Sequence, residues 1–186
     1  MSIRLIKPDL EHLPGYADAL LRGWSPDNVR GPITAKAHLD AIEKDAAAFV
    51  EGLEDRDARA GDLTMPDGSK VKRLPGFVRW IWDGGFAGNV GFRWRPGDNT
   101  LPDYVLGHVG YAVVPWMRGR GLASTGLKLM MPLMRAEGLA YVELTTDPAN
   151  LASQKVITNN GGYLLERFTK SEAYGGGESL RWRIDL

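Results

Sequence analysis

Between Arg118 and Ala123 the chain reads Arg-Gly-Arg-Gly-Leu-Ala, a run in which two glycines leave backbone N–H groups with little side chain over them. An apolar stretch from Val109 to Val114 leads into it, breaks at Pro115, and a helical pattern follows at once. Amides gathered at a helix N-terminus form an anion cradle, because unpaired N–H groups and the helix dipole both favour negative charge. Arg118 and Arg120 add formal positive charge at the same place. A phosphate-bearing ligand suits this chemistry.

Other residues with chemistry to offer lie around this turn. His108, just before the apolar stretch, has an intrinsic pKa suited to proton transfer near neutrality, and Glu143 and Asp147 supply carboxylates further on. Asn150 and Ser153 stand at the start of a later helix, where Asn150 can also serve as a plain N-cap. Arg93 suits either a substrate carboxylate or solvent. An acidic run, Glu51, Glu54, Asp55 and Asp57, reads as a lip for a cationic substrate or as a solvated face.

Composition narrows the field. Cysteine is absent, so thiol nucleophiles, redox pairs and thiolate metal sites are excluded. Lysine and arginine equal aspartate and glutamate at 23 each, which removes the whole-chain basic charge of a dedicated nucleic-acid binder. No apolar run approaches the roughly 20 residues of a membrane helix, and the start, Met1 to Asp9, is charged rather than signal-like. The expectation is a cytoplasmic protein with no membrane and no nucleic-acid partner, built as one domain over residues 1–186.

The elements that must position these residues follow from pattern. Ile3 to Ile6 reads as a short strand, and Asp9 precedes a helix carrying Leu10, Leu13, Ala17, Leu20 and Leu21. Thr34 to about Leu53 reads as one helix, and 56–73 as a mobile excursion. Phe77 to Trp82 and Phe86 to Arg95 flank Asp83-Gly84-Gly85 as a hairpin, with Val78, Trp80 and Trp82 sharing a face. Those tryptophans fit a core or cleft wall better than a ligand cage. Val105 to Val114 is a strand and Gly119 to about Glu137 a helix stopped by Gly138. Ala140 to Thr146 is a strand, Asn150 to Asn160 a helix, and Tyr163–Phe168 with Leu180–Leu186 a closing strand pair. Hairpins followed by alternating strands and helices define a mixed α/β, or α+β, domain.

Three phosphate-cradle patterns compete for the glycine turn. A Walker loop needs Gly-Lys-Ser/Thr, which is missing. A dinucleotide fold would use Gly119-Arg-Gly121 with Glu143, but Pro115-Trp-Met-Arg118 separates the glycines from their strand and Glu143 does not end its own. The third pattern, Val113-x-Pro115-x-x-Arg118-Gly119-x-Gly121-x-Ala123 with Asn150 and Ser153 downstream and Gly161-Gly162-Tyr163 closing that helix, resembles the GNAT N-acetyltransferases. The likeness is specific from about His108 to Phe168 and is nearest to bacterial acetyltransferases of the ribosomal-protein branch.

That resemblance implies a GNAT-like, mostly antiparallel central sheet of roughly six to seven strands flanked by about four helices. It implies an acetyl-CoA-dependent acyltransferase that moves acetyl to a primary amine, on a small molecule or a peptide N-terminus, by direct transfer in a ternary complex. No metal is implied, and a homodimer is compatible with it. The amides of Arg118, Gly119, Arg120, Gly121, Leu122 and Ala123 would hold the coenzyme A pyrophosphate, and the backbone of Val113 and Val114 would pair with the pantetheine amides. Asn150 would bond the pantetheine arm and Ser153 would stand near the sulfur. The family's frequent tyrosine seven residues after the Asn is replaced here by Ile157, leaving Ser153 or water as acid and His108, Glu143 or Asp147 as base. The rival reading of another class is a catalytically silent module that binds coenzyme A or acyl-CoA and acts through a partner.

Overall fold

The computed structural model describes every residue except Met1, Val29, Pro66 and Asp67. Alternating apolar residues make Gly76–Trp82 (here β5) and Phe86–Arg93 (β6) the longest antiparallel pair, joined through Gly84 at φ 73°. The short strand Arg4–Ile6 (β1) pairs on the outer side of β5, and Glu54–Asp55 (β2) pairs with its first residues. Val109–Val113 (β7) pairs with β6, giving the order β1-β5-β6-β7. Within 56–73, which includes the undescribed Pro66 and Asp67, Leu63–Thr64 (β3) and Lys70–Val71 (β4) form a small hairpin. That segment therefore carries local structure where the sequence reading expects only an excursion.

A second sheet follows, Tyr141–Thr146 (β8), Tyr163–Thr169 (β9) and Glu178–Asp185 (β10), in the order β8-β10-β9, antiparallel throughout. The expected central sheet is thus present but divided between β7 and β8. The helices are Leu13–Leu21 (α1), Pro32–Lys44 (α2), Ala46–Gly52 (α3), Leu122–Arg135 (α4) and Leu151–Thr158 (α5). The single helix expected from Thr34 to Leu53 is two. Asp45 adopts an extended conformation between them, and its carboxylate accepts from Ala48 N–H at 2.9 Å, so a local cap outcompetes helical continuity.

Two apolar clusters cover the two faces of the first sheet. One packs Phe77, Ile81, Val90, Phe92 and Val109 against α4 and the second sheet; the other packs Trp80, Phe86, Ala112 and Val114 against α1 and α2. Gly126 lets α4 sit directly on the sheet, since a Cβ there would meet Ile81 Cδ1 at 2.7 Å. The tryptophans are structural: Trp80 and Trp94 are buried, in opposite clusters. Among the described residues no helix is long and apolar enough to cross a membrane.

Candidate active site

Strand β7 ends at Pro115, whose missing N–H and fixed φ turn the chain into the short 3-10 segment Pro115–Met117. The chain then passes Gly119 at φ 77° and Gly121 at φ 73°, left-handed conformations that side chains other than glycine's resist. Gly121 is the N-cap of α4 and no side chain caps the helix. Among the described residues, no amide from Gly119 to Ser124 donates to a protein acceptor; the first of the helix to do so is Thr125, to the Gly121 carbonyl at 2.9 Å. Gly119, Arg120 and Gly121 are exposed, Ala123 is half-buried and Leu122 is buried. The cradle expected from the sequence is open and unfilled by the protein's own groups.

Its two arginines are engaged differently from one another. Arg118 Nε donates to the Val113 carbonyl at 3.2 Å. Arg120 reaches the hairpin turn and pairs with Asp83 at 2.7 Å. Of the two residues expected to grip a ligand's amide arm, Val114 sends its N–H to Ala87 O at 3.0 Å within the sheet. Alternation then turns the backbone groups of Val113 and Tyr111 away from β6, toward the division between the sheets. Val113 and Tyr111 thus present their backbone groups outward, whereas the Val114 N–H is used within the sheet.

The sheets meet at one point. His108 N–H donates to the Glu143 carbonyl at 2.7 Å, and Glu143 N–H donates back to His108 Nδ1 at 2.9 Å. With Nδ1 accepting, the ring proton sits on Nε2. The imidazole is fully buried, and burial pulls its pKa down to about 4 despite the Glu143 carboxylate. His108 is therefore a neutral clasp between strands. The base role the sequence suggests needs an exposed nitrogen lone pair, and this ring offers none.

Glu143 and Asp147 are also committed elsewhere. The Glu143 carboxylate accepts from Arg183 Nη2 at 2.8 Å and lies 3.5 Å from Arg181. Asp147 accepts from Ala149 N–H at 2.8 Å and closes the turn before α5. Asn150 is the N-cap of α5, its Oδ1 taking Ser153 N–H at 3.0 Å.

Ser153 has the partner that sequence reasoning misses. Tyr111, half-buried on β7, reaches across the division with its hydroxyl 2.7 Å from Ser153 Oγ and 3.2 Å from the Ser153 carbonyl. Burial pushes the Tyr111 hydroxyl up to about 12, the bond to Ser153 only moderating it. Asn160 Nδ2 donates to the Ser124 carbonyl, to Ser124 Oγ and to Val156 O, tying the end of α5 to the start of α4. Ile157, where a tyrosine is frequent in the family, is buried in the core. Three of the four acids in the run are engaged by the protein: Glu54 bonds Lys7 and Arg56, Asp55 takes the Arg59 and Ala60 amides, and Asp57 pairs with Arg59, while Glu51 is exposed. Among the described residues no cluster of metal-ligand type occurs.

An open strand edge that runs into an unpaired amide turn, with a hydroxyl pair across the gap, is an arrangement suited to a long ligand with amides along its length and phosphate at its end. The acetyltransferase (GNAT) domain model matches residues 4–162, and the chain belongs to that family. It is an acetyl-CoA-dependent acetyltransferase. Solved structures agree on the fold. The RimL ribosomal-protein alpha-N-acetyltransferase in complex with coenzyme A is 14% identical, TM-score 0.65, over 100% of this chain and 95% of that one. Mycobacterium smegmatis RimJ in complex with CoA-disulfide is 17% identical, TM-score 0.65, over 99% and 82%. The microcin C7 self-immunity acetyltransferase MccE in complex with acetyl-CoA and AMP is 13% identical, TM-score 0.63, over 99% and 92%. A sequence search among curated proteins returns no match.

Proposed function

We propose that residues 1–186 work as a single cytoplasmic domain that acetylates a primary amine, on a small molecule or a peptide N-terminus, by direct transfer from acetyl-CoA in a ternary complex. The observation that carries this reading is the unpaired run of amides from Gly119 to Ser124 at the end of a strand whose edge is open. The amides of 118–123 hold the pyrophosphate, and the outward groups of Val113 and Tyr111 pair with the pantetheine arm. Ser153 Oγ, held by Tyr111, faces the sulfur. A Tyr111 hydroxyl near pKa 12 does not give its proton to a thiolate of ordinary pKa about 8.5, so the pair acts as a hydrogen-bond donor to developing charge. The Asn150 amide nitrogen remains for the pantetheine arm once its oxygen caps the helix.

Proximity alone lowers such a barrier by roughly 7 to 11 kcal/mol, so no dedicated base is required. The amine reaches the site deprotonated and its second proton leaves to solvent. The test is a panel of peptide N-termini, polyamines, amino acids and aminoglycosides with acetyl-CoA, read by free-thiol release and product mass. Acceptor-dependent release is expected. Tight coenzyme A binding without transfer to any amine would overturn the proposal in favour of a non-catalytic acyl-CoA sensor.

A further inference from the structure

The sheet face opposite α4 contains an unusual trough. Directly paired residues of antiparallel strands project to the same face, so the register sets three rows across β5, β6 and β7. Trp80, Asn89 and Ala112 form one row; Val78, Gly91 and Gly110 form the next. Gly76 and Arg93 belong to the third, where Arg93 N–H donates to the His108 carbonyl at 2.9 Å. The middle row carries no side chain on β6 or β7. The Arg93 guanidinium occupies part of that space: a Cβ built on Gly110 would lie 3.9 Å from Arg93 Nη2. Gly110 precedes Tyr111, which holds Ser153 on the other face of the same strand.

Among the described residues, the Arg93 guanidinium has no hydrogen bond and no ion pair, although the chain is otherwise liberal in pairing arginines. Arg93 is solvent-accessible, yet protein surrounds its charge closely enough that desolvation lowers its pKa, the more distant Tyr174 and Asp27 only partly offsetting this. Those two residues place the α1–α2 connection and the segment before β10 around the trough. Asp27 accepts from Thr34 Oγ1 at 3.0 Å and from Arg30 N–H at 3.0 Å. The Arg93 guanidinium therefore presents an unpaired positive charge over a floor of glycines.

Resting on the acetyl-transfer reading, we infer that the amine acceptor also carries a carboxylate, which the Arg93 guanidinium binds over Gly110 while the amine approaches the thioester at the β7 edge. Planar, forked and singly charged, the guanidinium matches a carboxylate and discriminates it from the neutral amide of the same shape.

The test compares matched acceptors: glycine with glycinamide, β-alanine with β-alaninamide, and a tripeptide with aspartate second against the same peptide with asparagine. Initial rates give kcat/KM for the natural protein, Arg93→Gln and Arg93→Lys; calorimetry with coenzyme A present gives affinities for N-acetylglycine and N-acetylglycinamide. The natural protein should favour the acid over its amide by roughly 10- to 100-fold, the worth of a charge-assisted hydrogen bond. Arg93→Gln should erase that ratio, Arg93→Lys should keep part of it, and coenzyme A affinity should be unchanged in both. A response confined to the free amino acids or to the peptide pair identifies which source supplies the carboxylate. A ratio near one in the natural protein, or a ratio untouched in Arg93→Gln, would overturn the inference; equal calorimetric binding of acid and amide does so even without turnover. Loss of acetyl-CoA binding itself would instead sink the parent reading.

Discussion

Ser153 and Tyr111 are bound by a contact 42 residues apart in sequence, and each alone reads as an ordinary polar side chain. Ser153→Ala removes the donor at the sulfur, and the expected outcome is a drop in kcat of roughly 10- to 100-fold with the acetyl-CoA KM held, as for a transition-state interaction. Tyr111→Phe should cost less, and the double variant no more than Ser153→Ala, since the two act as one unit. Steady-state kinetics on the three proteins check this. The open amide turn at 119–123 was legible because its geometry is local: neighbouring glycines, a proline and a helix start. The type of His108 advertises proton transfer, whereas its burial and its bond from a backbone N–H of another strand, which disfavour that role, are not visible in the sequence. With its pKa near 4, the pH–rate profile should rise with deprotonation of the acceptor amine and show no histidine step between pH 5 and 8. A step near 6.5 would restore His108 as base.

Among elements, the start of α4 carries most of the proposed coenzyme site. Gly121 occupies a left-handed conformation, so Gly121→Ala should cost about 1–3 kcal/mol in strain and raise the acetyl-CoA KM. Thermal unfolding with and without coenzyme A separates the two effects. Asn160 holds α5 to α4 through three acceptors, and Asn160→Ala should let Ser153 wander, lowering kcat while the pyrophosphate turn still binds. Neither Asn159 nor Asn160 looks special in a sequence that ends a helix with Asn-Asn-Gly-Gly. The hairpin of β5 and β6, the course of β8, α5, β9 and β10, and the apolar stripe of α4 were readable from period and turn residues. The break at Asp45 was not, because the apolar stripe runs through it and only the cap geometry interrupts the helix.

At the scale of the molecule, charge and burial set an acid limit. Burial opposes ionisation of Glu54, but hydrogen bonds from Lys7 and Arg56 and the charge of Arg79 outweigh it and hold its carboxyl at about 2. Its contribution is present above about 4.5 and lost as pH falls toward 2. For His108 the folded pKa of about 4 lies below the ordinary 6.5, so the unfolded chain takes the proton first and stability declines as pH falls through that interval. His38, also lowered by burial, adds in the same direction. Chemical denaturation should give stability falling below about pH 6.5 and more steeply below 4.5, and a His108→Asn variant should flatten the upper part. The division between β7 and β8 has a consequence for the enzyme at rest. Among the described residues its two half-sheets share one main-chain junction, at His108 and Glu143, and the outward amides of Tyr111 and Val113 have no strand to pair with. Deuterium should enter these amides quickly in the empty protein and slowly once the coenzyme lies alongside. On the proposed mode of binding the acyl donor serves as a removable strand, and its cellular supply would set how stiff the enzyme is.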